Sequence, residues 1–82
     1  MHTVDIDVTT HRVATLYGRV LSLPDVRPED DFFTLGGTSL SALDLLDLVH
    51  QEFGLRVPVR AFYQATSVRD LAGEVHALGT KG

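Results

Sequence analysis

Cysteine is absent from the 82 residues of this chain. The chain therefore cannot form a disulfide framework or a thiolate zinc site, and any thiol chemistry has to be supplied from outside. Basic residues are scarce: seven lysines and arginines against eleven acidic residues give a formal charge of −4, which argues against binding to a nucleic-acid backbone. No apolar run approaches the ~18 residues that a membrane span requires. We expect neither nucleic acid nor a membrane as a partner, and we expect a cytoplasmic location.

Helical periodicity is the main structural signal in the chain. It is strongest over Ser39–Phe53, where apolar residues recur three, four and seven positions apart, and Gly54 stands where that helix should end. The same spacing predicts a first helix through residues 13–21 and a last helix through residues 68–78. A short helix is predicted over Val59–Tyr63. The predicted fold is a small all-α bundle of three main helices and one short helix, with a long proline-containing loop between the first two main helices.

The ends of these helices predict how the chain is divided. Thr9 or Thr10 is expected to cap the first helix, and Ser67 the last. The expected parts are a flexible N-terminal extension, a single domain and a C-terminal tail, over residues 1–8, 9–78 and 79–82. A domain of this size has a thin core, so we expect no deep substrate cavity. The starting methionine and the short tail favour a free-standing protein, although a piece cut from a larger chain would look the same.

Residues 31–40, which we call the motif segment, bring a serine hydroxyl to the start of the strongest helix. That hydroxyl belongs to Ser39, and the glycines Gly36 and Gly37 precede it. Glycines remove side chains from the approach and permit backbone angles that other residues resist, so an enzyme cleft can come close. Three apolar residues are expected to anchor the segment by burial: Phe32, Phe33 and Leu35. Ser39 itself is expected at the surface.

Three interpretations of Ser39 follow from its position. In the first, Thr38 or Ser39 only caps the helix. In the second, Ser39 is a hydrolase nucleophile, but the segment is not Gly-x-Ser-x-Gly, no strand precedes it, and the histidines are poorly placed to act as a base. In the third, Ser39 accepts a group that another enzyme transfers, which requires an accessible hydroxyl, a helix start and a recognition surface.

The four histidines lack metal-ligand spacing, so no metal site and no catalytic residue is predicted.

Two leucines lie beside Ser39 and off the apolar stripe of its helix. When each residue is advanced by about 100° around the axis, Leu40 and Leu43 fall close together beyond one edge of the stripe. We interpret them as a docking patch for partner proteins, with Asp44 and Asp47 steering it toward basic surfaces. The alternative is that a neighbouring loop covers the leucines.

The motif segment, Asp-Phe-Phe-Thr-Leu-Gly-Gly-Thr-Ser-Leu, resembles the Phe-Phe-x-Leu-Gly-Gly-x-Ser-Leu core of peptidyl carrier proteins, the thiolation domains of nonribosomal peptide synthesis. The likeness extends over about residues 12–78 and includes the proline-containing loop, the Val57-Pro58 link and Phe62. The residues that support it around Ser39 are Asp31, Phe32, Phe33, Leu35, Gly36, Gly37 and Thr38. Histidine or aspartate often precedes the serine in this family, whereas Thr38 stands here, which bears on the choice of partner enzyme.

The resemblance implies that a phosphopantetheinyl transferase moves 4′-phosphopantetheine from coenzyme A onto Ser39, with magnesium at the transferase. The thiol of the arm would hold an aminoacyl or peptidyl group as a thioester, and the chain itself would be a non-catalytic, monomeric carrier. The implied partners are adenylation, condensation, tailoring or thioesterase enzymes. Two alternatives stay open. One is an acyl carrier protein for polyketide or fatty acyl chains, which Leu35-Gly36-Gly37 disfavours, and the other is an unmodified helical interaction module.

Overall fold

Four helices form the part of the chain that the computed structural model describes, residues 6–79. They are α1 (Ile6–Leu21), α2 (Ser39–Phe53), α3 (Val59–Tyr63) and α4 (Val68–Gly79). Helix α1 packs against both α2 and α4, and the first loop covers residues 22–38. The predicted all-α bundle, with its short third helix and long first loop, is confirmed. Within residues 6–79, no helix has the length and apolar content needed to cross a membrane.

Helix α1 begins earlier than predicted. It starts at Ile6, so residues 6–8 belong to the helix and not to an extension. Thr9 and Thr10 do not cap it: Thr9 is buried, and the Thr10 hydroxyl donates to the Ile6 carbonyl oxygen at 2.8 Å. The hydropathy pattern missed this turn because a threonine occupies its buried position. The rest of the predicted extension, residues 1–5, lies outside the described residues.

The other helix ends follow the sequence closely. Gly54 ends α2 in the left-handed conformation, with φ 73°, and its N–H donates to the His50 carbonyl oxygen at 2.9 Å. The Ser67 hydroxyl accepts from a backbone N–H of the first turn of α4 at 3.1 Å, as its predicted cap role requires. Helix α4 continues to Gly79, one residue into the predicted tail. The remaining tail, residues 80–82, lies outside the described residues.

An aromatic cluster lies at the centre of the core. Phe32, from the first loop, is completely buried. Its ring makes edge-to-face contacts with three other rings, at centroid distances of 5.3, 5.4 and 5.6 Å: those of Tyr17, Phe33 and Phe62. Aliphatic residues of the main helices complete the core: Val13, Leu16, Ala42, Leu45, Val49, Val68, Leu71 and Val75. Burial of the loop anchor is confirmed for Phe32, while Phe33 and Leu35 are partly buried against the same core.

Backbone hydrogen bonds join the first loop to the segment between α3 and α4. The Thr66 carbonyl oxygen accepts from the Phe32 N–H at 3.0 Å and from the Tyr17 hydroxyl at 2.7 Å. The Val68 N–H donates to the Asp30 carbonyl oxygen at 3.0 Å, which completes an isolated antiparallel bridge. Burial, together with nearby aspartates, raises the pKa of the Tyr17 phenol, so the hydroxyl stays protonated and able to donate. The first loop is thus bonded to the residues at the start of α4, and the Tyr17 hydroxyl of α1 bonds the same Thr66 carbonyl oxygen.

Asp31 fixes the start of the motif segment through its carboxylate. One carboxylate oxygen accepts from the Thr66 hydroxyl, and the other accepts from the N–H groups of Phe33 and Thr34, each at 3.0 Å. These bonds, and that from Thr66 above all, lower the pKa of the Asp31 carboxyl. The carboxylate form therefore binds this part of the fold more tightly than the neutral acid does.

The two glycines of the motif segment have different roles. Gly36 has a φ of 107°, in the region that favours glycine. Gly37 lies against Phe32. A Cβ at position 37 would be 2.3 Å from two carbons of the Phe32 ring and 2.8 Å from the Phe32 backbone carbonyl oxygen. The Gly37 N–H also donates to this carbonyl oxygen at 2.9 Å. The missing side chain of Gly37 makes room for the buried ring, a reason that the sequence alone did not reveal.

Replacing Gly37 by alanine is expected to lower the free energy of unfolding by about 2 kcal/mol, because the new methyl group overlaps the Phe32 ring and overpacking carries a cost of that size. Urea denaturation measures the effect. Gly73→Ala is the matched control, since a Cβ at Gly73 in α4 meets nothing within 4 Å and alanine is the better helix former. The control should be at least as stable as the original chain. Unchanged stability of Gly37→Ala would contradict the close contact.

Asp31→Ala is expected to lower the free energy of unfolding by about 2 kcal/mol at pH 7, because three hydrogen bonds to a charged acceptor are lost. The folded state has the lower pKa, so this stabilisation is complete above the ordinary aspartate value of 3.8 and disappears as the pH falls through the lowered folded value. The difference in melting temperature between the two proteins should be constant near neutrality and shrink below about pH 4. A difference that is the same at pH 7 and pH 3 would show that the carboxylate charge has no part in it.

Candidate functional site

Helix α2 starts with a complete cap that does not use Ser39. Thr38 is the N-cap residue, with extended backbone angles of φ −126° and ψ 173°. Its hydroxyl accepts from the Ser41 N–H at 3.2 Å, and the Ser41 hydroxyl accepts from the Thr38 N–H at 2.7 Å. This reciprocal pair is a capping box. Of the two capping residues that the sequence allowed, the structure assigns the role to Thr38, and Ser39 is not needed for it.

Ser39 is the first residue of α2 and is exposed. The Tyr63 hydroxyl lies 3.4 Å from Ser39 Oγ, longer than the ~2.5–3.0 Å of an ordinary O–H···O bond. In the described part of the chain, Ser39 Oγ has no hydrogen bond to a histidine or a carboxylate. A serine nucleophile is activated by such a base. The arrangement therefore gives the hydrolase interpretation no support.

The start of α2 is suited to an anionic group. The first turn of a helix presents N–H groups that have no partner within the helix, and it carries a partial positive charge. In α2 the cap satisfies the Ser41 N–H, and the first turn contains no acidic side chain. A phosphate group on Ser39 would therefore lie at the favourable end of the helix dipole, without a like charge in the same turn.

The predicted leucine pair is exposed beside Ser39. Leu40 exposes 77% of its surface and Leu43 exposes 54%. Asp44 and Asp47 are also exposed on the same helix. The alternative that a loop covers the two leucines is therefore wrong. Their role in docking, and that of the two aspartates, stays a prediction.

Tyr63 belongs to the site, although it lies outside the motif segment. It is the last residue of α3, and its ring stacks on that of Phe33, with centroids 5.6 Å apart and planes inclined by 8°. The hydroxyl end of the ring reaches Ser39. Tyr63 and Ser39 are 24 residues apart, and they meet only because α3 packs against the motif segment. No local sequence pattern signals such a contact.

Ser39 lies at the protein surface, away from the main cavity next to α1. A cavity of about 440 Å³ lies between α1 and the first loop, where it is lined by His11, Gly18 and Leu23 among others, and no residue of the motif segment lines it. Within residues 6–79, no group of three or more histidine, aspartate or glutamate side chains could hold a metal ion. The arrangement presents an exposed oxygen that can accept a transferred group.

Comparison with known families matches residues 11–75 of the chain to the family described as "Phosphopantetheine attachment site". Among curated proteins, the chain is 38% identical over 74 residues to surfactin synthase subunit 1 of Bacillus subtilis (strain 168), a match that covers 90% of this chain and 2% of that protein. It is 47% identical over 57 residues to carboxylic acid reductase of Mycobacterium tuberculosis, which covers 68% of this chain and 5% of that protein. The chain thus spans a small fraction of the length of these relatives.

One solved structure with a similar fold is that of the phosphopantetheine transferase Sfp in complex with coenzyme A and a peptidyl carrier protein. The two chains superpose with a TM-score of 0.80 and 25% sequence identity, over 93% of this chain and 95% of the other. The resemblance predicted from the motif segment is confirmed by the match over residues 11–75 and by this shared fold. The chain belongs to the family of carrier domains that contain a phosphopantetheine attachment site.

Proposed function

We propose that Ser39 is the attachment residue for 4′-phosphopantetheine and that the chain carries an aminoacyl or peptidyl group for a peptide synthetase. One observation supports this choice of residue above the others. Three hydroxyl groups lie within Thr38–Ser41, and those of Thr38 and Ser41 each accept from the other residue's backbone N–H in the capping box. The hydroxyl of Ser39 is exposed and takes no part in the cap. It can be modified without loss of a bond that holds the start of the helix.

The transfer onto Ser39 is a phosphoryl substitution. The Ser39 oxygen forms a bond to the phosphorus next to the pantetheine half of coenzyme A, and the bond from that phosphorus to the bridging oxygen of the pyrophosphate breaks. The adenosine bisphosphate half leaves with the electron pair. The serine proton passes to a base of the transferase, because no histidine or carboxylate of residues 6–79 is bonded to Ser39. The chain contributes an accessible oxygen and a helix start that favours the phosphate.

After attachment, the arm supplies a thiol that can hold an acyl group as a thioester. The chain has no cysteine of its own, so its only thiol is the one on the arm. We propose that the chain catalyses nothing itself and acts as a monomer. Adenylation, condensation, tailoring and thioesterase enzymes would act on the cargo. A cytoplasmic location is part of the proposal, because coenzyme A has to reach Ser39.

A second candidate is a carrier of acyl groups that are not amino acids, such as polyketide or fatty acyl chains. The 47% identity to a carboxylic acid reductase over 57 residues favours this candidate. The Leu35-Gly36-Gly37 sequence and the similarity to surfactin synthase favour the peptidyl role. Loading of the modified chain by an enzyme that activates amino acids, compared with loading by an acyltransferase, distinguishes the two.

The docking patch is the proposed contact for partner enzymes. Leu40 and Leu43 present apolar surface next to Ser39, and Asp44 and Asp47 add negative charge on the same helix. A carrier must pass its cargo between several enzymes, which requires weak and short-lived complexes. A small apolar patch with charges around it provides contacts of this kind.

Incubation with coenzyme A, magnesium and a broad-specificity phosphopantetheinyl transferase is expected to add the mass of one arm to the chain. Ser39→Ala should abolish this gain in the intact-mass spectrum. Ser41→Ala is the matched control: it removes a hydroxyl two residues away, weakens the cap by about 1 kcal/mol, and should still gain one arm. A chain that gains no mass, or an arm that is still added to Ser39→Ala, would falsify the attachment.

Leu43→Ala is expected to lower kcat/KM for the same transfer about tenfold, because the transferase loses an apolar contact worth about 1–2 kcal/mol. Val8→Ala is the matched control, since Val8 exposes 52% of its surface against 54% for Leu43 but lies at the start of α1. The control should change kcat/KM by less than about twofold. Both alanines preserve a helix, so circular dichroism should show no loss of fold. Equal rates for the two variants would remove Leu43 from the docking surface.

A further inference from the structure

We propose that the Tyr63 hydroxyl positions the phosphodiester after the arm is attached, a role that rests on the proposed attachment at Ser39. The hydroxyl of Tyr63 lies 3.4 Å from Ser39 Oγ, and Tyr63 is on a different helix from Ser39. A donor from α3 therefore stands beside the oxygen to which the phosphorus would be bonded. This makes Tyr63 a positioning residue for the arm and not a catalytic residue.

The position of the Tyr63 hydroxyl is fixed by the packing of its ring. The ring is stacked on Phe33, with planes inclined by 8°, and contacts Phe62 at a centroid distance of 5.9 Å. Phe62 is fully buried and Phe33 is packed against the core. A tyrosine has few rotatable bonds, so a ring held in this way gives up little conformational freedom when its hydroxyl makes a bond. With 47% of its surface exposed, Tyr63 keeps one side open to solvent.

The unmodified serine does not make full use of this donor. A separation of 3.4 Å is too long for a strong O–H···O bond. After attachment, Ser39 Oγ becomes an ester oxygen, and the phosphorus bonded to it carries two further oxygens that share a negative charge. A hydrogen bond to an ionised acceptor is shorter and about twice as strong as one between neutral groups. The Tyr63 hydroxyl should therefore bind the phosphodiester more strongly than it binds the serine.

This difference in strength predicts that attachment of the arm and the Tyr63 hydroxyl are energetically coupled. The coupling is measured from four melting temperatures: those of the original chain and of Tyr63→Phe, each with and without the arm. Phenylalanine keeps the ring and its stacking on Phe33 and removes only the hydroxyl. The rise in melting temperature on attachment should be larger by about 3 °C in the original chain than in Tyr63→Phe. General effects of the arm's charge on the helix cancel in this comparison.

The chain supplies its own control, because it contains two tyrosines. The Tyr17 hydroxyl donates to the Thr66 carbonyl oxygen inside the bundle and does not contact Ser39. Tyr17→Phe should lower the melting temperature by a similar amount with and without the arm, so its coupling should be close to zero. The ³¹P chemical shift of the phosphodiester is a second readout, which should change in Tyr63→Phe and stay the same in Tyr17→Phe.

Intact-mass spectra of the samples separate the two proposals. If no variant gains an arm, the attachment itself is refuted. If the arm is present on Ser39 in both proteins, equal rises in melting temperature and an unchanged ³¹P shift overturn the role of Tyr63 and leave the attachment standing. A coupling near 3 °C together with a ³¹P change confined to Tyr63→Phe supports it.

Discussion

The buried ring of Phe32 holds the first loop to the helices, and the geometry of the site depends on it. Tyr17 of α1 and Phe62 of α3 both make edge-to-face contacts with this ring. The chain then has to pass over the ring to reach α2, and only a residue without a side chain fits at Gly37. Thr38 follows at once and caps the helix, and Ser39 is the next residue. A loop of 17 residues thus delivers its serine to a defined place because one aromatic side chain is packed inside the bundle.

Polar side chains on both sides of Ser39 make the hydrogen bonds that hold the motif segment and the start of α2. Asp31 binds Thr66 and two backbone N–H groups, which sets the turn that contains the aromatic residues. Thr38 and Ser41 satisfy each other at the helix start. Because these bonds are made by other groups, the Ser39 oxygen takes no part in the helix cap, and its one side-chain partner is the Tyr63 hydroxyl at 3.4 Å. A residue with no part in holding the fold is the one best suited to covalent modification.

Most of the fold and part of the site could be predicted from the sequence. Periodicity located α2 and its end at Gly54, and the same pattern placed Leu40 and Leu43 outside the buried stripe. The start of α1 was misjudged because Thr9 occupies a buried position that hydropathy reads as polar. The contact between Tyr63 and Ser39 was missed for a different reason. It joins residues far apart in the chain, and only the packing of a five-residue helix brings them together.

The exposed serine belongs to a very small molecule, and the small size limits how many proteins can bind around it at once. The accessible surface is 5072 Å², whereas a standard protein interface covers about 800 Å² on each partner. Any two enzymes that both contact the surface around Ser39 compete for it and must bind one after the other. The rate at which one partner enzyme replaces another on the carrier is then set by the dissociation rate of each complex, since dissociation rates vary far more than association rates among related complexes.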